Sequence, residues 1–344
     1  MERDIIKAIE ENLKLQFEES RKANQPGELE SKWDFLTSSE PQRFINPDIT
    51  LKIDILKNFR KLNIFITDSP PNTFLPLRLN PLNYVHGGRR GTIKYLKELY
   101  PLLKESSNLD LLERHPVSPV GNPNLFKHKG YIYTARWVRH ILFLGLFKRV
   151  LEGKIVNDFI CLDIGSSYGI FSGLLRREYP LSRHILLDFP EQLVLAHYFL
   201  GCNFPEARIA GYKEISDMEY IDREFVSKYD FILLPWFLYK KLGHNSIDLV
   251  SNFASLGEMR REWVDYYLKS EPFLSTKYFF TANRFQSYPE YDTDLTILDY
   301  PLLDFKKLHF RISPYFSHVY KRKYLFWHER YNFSSQYFEF IGER

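Results

Sequence analysis

The stretch FICLDIGSSYGIFSGLL, from Phe159 to Leu175, constrains the fold of this chain more than any other segment. An apolar run ends at Asp163, a turn containing Gly165 and Gly169 follows, and apolar spacing then resumes. This order predicts a buried strand, a tight turn and a helix. A second apolar run, HILLD, ends at Asp188, 25 positions after the first acid. An acid at the tip of the second strand of a doubly wound fold binds ribose hydroxyls, so the pattern predicts a nucleoside-containing cofactor beyond these strands.

The glycine spacing indicates which cofactor is expected. A dinucleotide-binding turn carries G-x-G-x-x-G, which lets the backbone and a helix N-terminus approach a pyrophosphate. Counting from Gly165, those positions hold Ser167 and Ile170, and Asp163 stands two residues before the first glycine. The order D-x-G-x-x-x-G is typical of methyltransferases that bind S-adenosylmethionine (SAM), which has a sulfonium and an ammonium group and no phosphate. The turn therefore favours SAM over NAD, and a turn whose glycines serve packing alone is the structural alternative.

Length and composition indicate how many regions the chain has and which kinds of partner it is expected to lack. A chain of 344 residues predicts a core domain with an accessory region. Lys+Arg total 47 and Asp+Glu 43, scattered evenly, so no nucleic-acid partner is expected. Two cysteines, Cys161 and Cys202, make neither a disulfide framework nor a metal cluster and fit a reducing cytoplasm. The longest apolar run, ILFLGLF, is too short to span a bilayer and no export leader is recognisable, so a cytoplasmic protein without a membrane partner is expected.

The pattern of apolar residues predicts two regions. Residues 1–133 read as a helical and loop-rich accessory region that would bind the acceptor, and residues 134–344 as the core. In the core a helix from Thr134 to Glu152 is followed by strands at 159–164, 184–188, 229–234, 247–252 and 277–283, with helical patterns at 171–178, 191–200 and 259–269. Alternating strands and helices predict a mainly parallel sheet. Aromatic and polar residues alternate after Leu302, which predicts an antiparallel C-terminal hairpin.

Four segments, in order, resemble the sugar O-methyltransferase family of bacteria. They are VGNPNLFKHKGYIYTARWVRH, DIGSSYG, LLDFPEQLVLAHYFL and IDLVSNFASLGEM, which with the fifth strand span Val120 to Asn283. The first segment and the D-F-P-E turn are distinguishing, because a glycine turn is common to methyltransferases. The chain departs from the family where Ser166 or Ser167 replaces a further glycine. The resemblance implies a Rossmann-like class I methyltransferase fold and SAM-dependent methylation of a sugar hydroxyl, on a free sugar, a nucleotide-linked sugar or a glycan.

The resemblance also implies site residues. The expected cofactor-binding residues are Asp163, Gly165, Ser166, Ser167, Gly169, Asp188, Phe189, Ser251 and Asn252, and the expected acceptor-binding residues are Asn283, Arg284 and Tyr288. Glu258, after the fourth strand, is the leading candidate for the general base, although an acid at a helix start also complements the helix dipole. His86, in the loop NYVHGGRR, is the rival base.

Alternatives to this assignment remain open at the level of sequence. Magnesium could assist the transfer through Asp292, Asp294 and Asp299, but aspartates from one loop are weak evidence for a hard-cation site, so no metal is predicted. A nicotinamide-dependent sugar-modifying enzyme would share the nucleotide fold. A catalytically degenerate SAM-binding protein would share the fold and the cofactor.

Overall fold

The computed structural model describes residues 1–27, 37–66, 97, 99–104, 108–287, 293–314, 319–324, 328–333 and 336–344. Its helices are α1 (Glu2–Lys22), α2 (Pro41–Phe44), α3 (Ile53–Lys57), α4 (Asn108–Arg114), α5 (Ala135–Leu151), α6 (Ile170–Glu178), α7 (Pro190–Asn203), α8 (Tyr212–Ile215), α9 (Arg223–Ser227), α10 (Arg261–Leu268) and α11 (Glu271–Leu274). Its strands are β1 (Phe126–His128), β2 (Tyr131–Tyr133), β3 (Ile160–Ile164), β4 (Arg183–Asp188), β5 (Ile209–Ala210), β6 (Phe231–Pro235), β7 (Leu249–Phe253), β8 (Tyr278–Arg284), β9 (Lys306–Ile312), β10 (Val319–Tyr324), β11 (His328–Phe333) and β12 (Tyr337–Glu343). Short 3-10 helices lie at Ile64–Ile66, Trp236–Lys241, Leu256–Glu258, Ile297–Asp299 and Leu302–Asp304.

An eight-stranded sheet in the order β5-β6-β4-β3-β7-β8-β12-β9 forms the centre of the protein. The pairs from β5 to β8 are parallel, and β12 lies antiparallel between β8 and β9. A separate antiparallel pair, β10 and β11, lies between β9 and β12 in the chain. The sheet confirms the predicted Rossmann-like α/β class with antiparallel C-terminal pairing. The five predicted strands are present, and the two-residue strand β5 at the edge is an addition to them.

The order of the strands creates a switch point at β3. The register sets Cys161 of β3 beside His184 of β4 on one side and beside Leu249 of β7 on the other. The chain therefore winds outward in both directions from β3, and in open α/β sheets ligands bind outside the carboxyl ends of the strands at such a point. Strands β3 and β6 are buried at every residue, which explains why both are continuous apolar runs in the sequence.

The helices cover the two faces of the sheet in two groups. Apolar side chains of α1 to α7 form one core cluster with one face, and those of α8 to α11 form a second cluster with the other face. The helix α5 begins as predicted, because the Thr134 hydroxyl accepts a hydrogen bond from the backbone N–H of Trp137 at 3.2 Å. The start of α7 follows from Pro190 at its first position, where a missing N–H costs nothing.

The helix α1, in the predicted accessory region, packs against the core. Leu13 has no exposed surface, and the side chain of Asn12 accepts a hydrogen bond from the backbone N–H of Lys213 at 2.8 Å. At its start, the carboxylate of Glu2 accepts a hydrogen bond from the hydroxyl of Tyr198, on α7, at 2.9 Å. Part of the N-terminal region therefore shares a core cluster with the region that follows residue 133.

None of the helices in the described part of the chain is both long and apolar enough to cross a membrane.

The docking of α1 leads to a stability prediction. We expect Leu13→Ala to lower the free energy of unfolding by about 2 to 4 kcal/mol, because it removes buried apolar volume and leaves a cavity. Leu15, on the same helix, is 44% exposed, and Leu15→Ala should change this free energy by less than about 0.5 kcal/mol. Urea unfolding followed by circular dichroism measures both. Equal effects of the two substitutions would contradict the observed packing of α1.

Candidate cofactor and acceptor site

The carboxyl ends of the central strands bring most of the predicted site residues together. Strands β3, β4, β7 and β8 run parallel in register, so Asp163, Asp188 and Asn252 lie along one edge of the sheet. The hydroxyl of Ser251 donates a hydrogen bond to the Asp163 carboxylate at 2.8 Å, and both side chains are buried. Residues far apart in the sequence thus form one site at the switch point.

The turn after β3 depends on left-handed backbone conformations. Gly165 has φ +67° and Gly169 has φ +79°, and a Cβ on Gly165 would come within 2.0 Å of the hydroxyl oxygen of Ser255. Ser167 has φ +54°, which is uncommon for a residue with a side chain. The resemblance to the family predicts a further glycine at this position or at Ser166. The serine is held by two bonds, since its N–H donates to Asp188 at 2.7 Å and its hydroxyl accepts from Arg136 at 3.0 Å.

Asp188, the predicted ribose-binding acid, is the last residue of β4. Its two carboxylate oxygens accept hydrogen bonds from the backbone N–H groups of Ser167, at 2.7 Å, and of Phe189, at 2.8 Å. A carboxylate has about four acceptor sites, so others remain for ribose hydroxyls. Burial raises the pKa of Asp188 to about 7, against the opposing effect of these backbone bonds and of Arg136.

Three carboxyl groups give this edge an acidic character. Burial raises the pKa of Asp163 to about 7, and the neighbouring Asp188 adds to the rise. Burial likewise raises the pKa of Glu191, in the first turn of α7, to about 7, with a further contribution from Asp188. Glu191 was not among the site residues expected from the sequence, although it is the last residue of the D-F-P-E turn. Carboxyls with strongly perturbed pKa values at a strand edge are typical of functional sites.

Two asparagine side chains fix the loop that follows β7. The amide nitrogen of Asn252 donates to the carbonyl of Ile164 at 2.6 Å, and its oxygen accepts from the amide nitrogen of Asn283 at 2.7 Å. The oxygen of Asn283 accepts from the backbone N–H of Gly257 at 3.1 Å. Neither asparagine has exposed surface. In this structure their side chains therefore hold the turn Leu256–Glu258 against the ends of β3 and β8, facing the protein interior.

The candidate base Glu258 lies beside the candidate acceptor-binding residue Arg284. One carboxylate oxygen of Glu258 accepts a hydrogen bond from the Arg284 guanidinium at 3.3 Å, and both residues are 9% exposed. The same guanidinium lies 4.8 Å from the ring centroid of Tyr337 on β12. The structure thus brings these two predicted residues together at the end of β8, as an ion pair.

The remaining sequence candidates make none of the contacts described above, or fall outside the described residues. His86, Tyr288 and Asp292 fall outside the described residues. The carboxylates of Asp294 and Asp299 pair with Arg261, at 3.3 and 2.5 Å. Within the described ranges, no three His, Cys, Asp or Glu side chains are grouped so that they could hold a metal ion.

The helix α5 places a histidine at the site that the sequence did not single out. The ring of His140 packs edge-on against Phe253, the last residue of β7, with 6.3 Å between ring centroids. Its Nδ1 lies 2.7 Å from the carbonyl oxygen of Arg136, which can only accept, so Nδ1 carries the proton. Burial lowers the pKa of His140 to about 3, and Arg136 and Arg139 contribute. The ring is therefore neutral, with Nε2 as an acceptor. In the sequence, His140 stood out only as the last residue of TARWVRH, the end of one segment that resembles the family.

Comparisons with known proteins return only distant structural likenesses. No protein-family model matches the chain, and no curated protein matches it. The magnesium protoporphyrin IX methyltransferase ChlM from Synechocystis PCC 6803, with bound S-adenosylhomocysteine (SAH), is 10% identical over 61% of this chain and 84% of its own, with a TM-score of 0.37. The mitomycin 7-O-methyltransferase MmcR is 10% identical over 73% of this chain and 68% of its own, with a TM-score of 0.31. TehB from Haemophilus influenzae is 10% identical over 62% of this chain and 68% of its own, with a TM-score of 0.38.

These likenesses are low, and the fold assignment stands on the sheet topology itself.

The raised pKa of Asp163 leads to a prediction about pH. The folded state holds this proton up to a pH of about 7 and the unfolded chain up to about 4, so the folded protein loses stability as pH rises between these values. Asp163→Asn removes this titration. We expect its unfolding free energy relative to wild type to rise by about 1 to 3 kcal/mol between pH 5 and pH 8. Urea unfolding at both pH values measures the change.

The exposed Asp304 supplies the control for this experiment. Asp304→Asn should differ from the wild type by a similar amount at both pH values. A relative stability of Asp163→Asn that does not change with pH would contradict the raised pKa.

Proposed function

We propose that the protein is a SAM-dependent O-methyltransferase whose acceptor is a sugar hydroxyl, on a free sugar, a nucleotide-linked sugar or a glycan. The main support for SAM as the cofactor is the left-handed turn at Gly165 to Gly169. This turn is hydrogen-bonded through Ser167 to Asp188 at the end of the adjacent strand. The sugar acceptor is supported by the resemblance of four segments of the chain to the sugar O-methyltransferase family. When bound, SAM supplies an electrophilic methyl group on a sulfonium.

The residues at the strand ends fit SAM better than a dinucleotide. A pyrophosphate at the turn would lie beside the buried carboxyl of Asp163, and like charges in a site of low dielectric repel. The third glycine position of a dinucleotide turn holds Ile170, which is buried in the core. An ammonium and a sulfonium group, by contrast, are attracted to ionised carboxyls. These features support SAM over a nicotinamide cofactor.

The adenosine end of the proposed site is bounded by aromatic side chains. Phe189 follows Asp188 directly, and its ring centroid lies 6.1 Å from that of Trp263 on α10. Trp236, which follows β6, lies 5.1 Å from Trp263. Aromatic faces beside a ribose-binding acid are suited to an adenine ring. In the proposed complex Asp188 accepts hydrogen bonds from the ribose hydroxyls, and Phe189 contacts the adenosine.

The proposed role of Glu258 is that of general base. Its carboxylate would accept the proton of the acceptor hydroxyl as the oxygen is methylated, and would then release that proton to solvent. Arg284, bonded to the same carboxylate, would hold it in position. His140 is a second and weaker candidate: its neutral ring offers Nε2 as an acceptor near the end of β7, but its pKa of about 3 makes it a poor base. The role of His86 as the rival general base stays a prediction.

Calorimetric titration with SAM, SAH and NAD tests the proposed cofactor. We expect both adenosyl compounds to bind and NAD not to bind. Binding of NAD alone would overturn the proposal in favour of a nicotinamide-dependent enzyme. Binding of none of the three would contradict a cofactor site at this edge. Tight binding of SAM without turnover of any sugar would favour a catalytically degenerate protein.

The ribose contact leads to a prediction about affinity. Asp188→Ala should weaken SAM binding by about 1 to 3 kcal/mol, because charge-assisted hydrogen bonds to the ribose are lost. The exposed Asp304 offers a matched control, and Asp304→Ala should leave the affinity unchanged. Titration calorimetry of both variants measures this. An unaltered affinity of Asp188→Ala would remove this residue from the site.

The base assignment leads to a prediction about turnover. Glu258→Gln should lower turnover by roughly 100-fold or more while SAM affinity stays near that of wild type. The measurement is SAH release with a panel of sugars and nucleotide sugars. Because Arg284 loses its carboxylate partner in this variant, the assay is run at a temperature where the variant is shown to be folded. His140→Gln is the comparison. A large loss in His140→Gln with little loss in Glu258→Gln would transfer the role to the histidine.

A further inference from the structure

We propose that residues 23–27, here called the strap, close over the adenosine end of the proposed cofactor site and slow the release of the cofactor. This inference rests on the proposed function. The strap follows α1 and reaches α10, where the carbonyl oxygen of Gly27 accepts a hydrogen bond from the indole N–H of Trp263 at 3.1 Å. A segment from the N-terminal part of the chain is thereby bonded to the aromatic group beside Asp188.

Trp263 lies at the ends of two strands of the central sheet. It is the third residue of α10, which follows the turn Leu256–Glu258 after β7. Its ring centroid lies 6.1 Å from that of Phe189, directly after β4, and 5.1 Å from that of Trp236, directly after β6. The carboxyl ends of parallel strands share one edge of the sheet, and ligands bind outside that edge. The strap therefore ends at the edge where the adenosine is proposed to bind.

The backbone of Gly27 lies directly against the first turn of α10. A Cβ placed on Gly27 would come within 2.9 Å of the Cβ of Glu262 and within 3.2 Å of its Cγ. Two carbon atoms in a packed protein do not approach so closely, and a Cβ on a helix cannot rotate away. Glycine is therefore required at this position by the close approach of two backbones. Any side chain at residue 27 would push the strap away from α10.

The other end of the strap is fixed by α1. Ala23 ends this helix with an extended backbone, at φ −71° and ψ 134°, and its N–H donates to the carbonyl of Glu19. Ile9 and Leu13 of α1 belong to the core cluster on one face of the sheet, whereas Ala23 packs against the cluster on the other face. The strap thus leads from one face of the sheet to the other, and both of its ends are held.

The strap is held weakly enough to open. Asn24 and Gln25 are exposed, and the bond to Trp263 is the one hydrogen bond that residues 24–27 make with other described residues. A segment with few internal hydrogen bonds opens locally at little cost in free energy. An adenosine bound beside Phe189 and Trp263 holds the indole in place and so favours the docked strap. By linkage, the docked strap favours the bound cofactor to the same degree.

A substitution at Gly27 tests the strap without changing a side chain of the site. Dissociation of SAH from the immobilised full chain is measured by surface plasmon resonance. We expect Gly27→Ala to speed this dissociation roughly 3- to 10-fold, the equivalent of one internal hydrogen bond. The matched control is Gly243→Ala, because a Cβ on Gly243 would lie 3.7 Å from its nearest neighbour, the carbonyl oxygen of Ile221. This control should leave the rate unchanged.

Hydrogen exchange supplies a second readout that needs no variant. In the wild-type protein, SAH should slow the exchange of the backbone amides of the strap, because the bound and docked states are coupled. Strap amides that exchange equally fast with and without SAH would overturn the inference. Equal dissociation rates in wild type and Gly27→Ala would overturn it too, and would leave the proposed cofactor standing.

Urea unfolding separates the proposed role from a structural one. A Gly27→Ala variant that loses stability without releasing SAH faster would show that the strap only anchors α1, and would contradict the inference. If the wild-type protein binds no SAH, the proposed function fails, and the inference fails with it.

Discussion

The hydrogen bond from the backbone N–H of Ser167 to the carboxylate of Asp188 links the two strand ends on which the site depends. It joins the turn after β3 to the tip of β4, and it partly offsets the cost of a left-handed residue with a side chain, about 1 to 2 kcal/mol. Arg136 binds the hydroxyl of the same serine from α5. The glycine turn, the acid of the second strand and the helix α5, which precedes β3, therefore form one bonded unit. Strain at such a unit is common where a protein holds a ligand.

Electrostatics gives this unit its chemical character. Burial keeps the pKa values of Asp163, Asp188 and Glu191 at about 7, because surroundings of low dielectric disfavour their charged forms. A positively charged ligand stabilises the ionised forms, so its binding is coupled to loss of protons from these carboxyls. Ionisation of these carboxyls therefore lowers the stability of the folded protein, and the proposed cationic cofactor would offset that cost. The loop after β7 differs, because the side-chain amides of Asn252 and Asn283 hold it through hydrogen bonds inside the protein.

The sequence was sufficient to predict the central elements. The strands β3, β4, β6, β7 and β8 are apolar runs between turn residues, and the cap at Thr134 is a local contact with Trp137. Such features depend on neighbours in the chain, so period and composition reveal them. The strand β5, with two residues, lacks enough length to show a period. The packing of α1 on α7 was also hidden, because an amphipathic stripe does not identify the surface that it covers.

The candidate site was only partly predictable for the same reason. Asp163, Asp188 and the turn glycines were identified because each stands at a strand end within a short motif. The pairing of Glu258 with Arg284 joins the turn after β7 to β8, and the bond between Asn252 and Asn283 joins β7 to β8. Nothing in the sequence specifies that these side chains meet. Arg136 and His140 were not singled out, because their partners Ser167 and Phe253 are distant in the sequence.

The sequence by itself determined the alternation of strands and helices, the turn at Gly165 to Gly169 and the acid at Asp188, because these features follow from local periodicity and from the backbone freedom of glycine. Only the tertiary structure decided which charged groups surround that turn and which polar side chains form hydrogen bonds inside the protein. Side-chain contacts between distant segments depend on the order and register of the strands, and that order is set by packing of the whole chain.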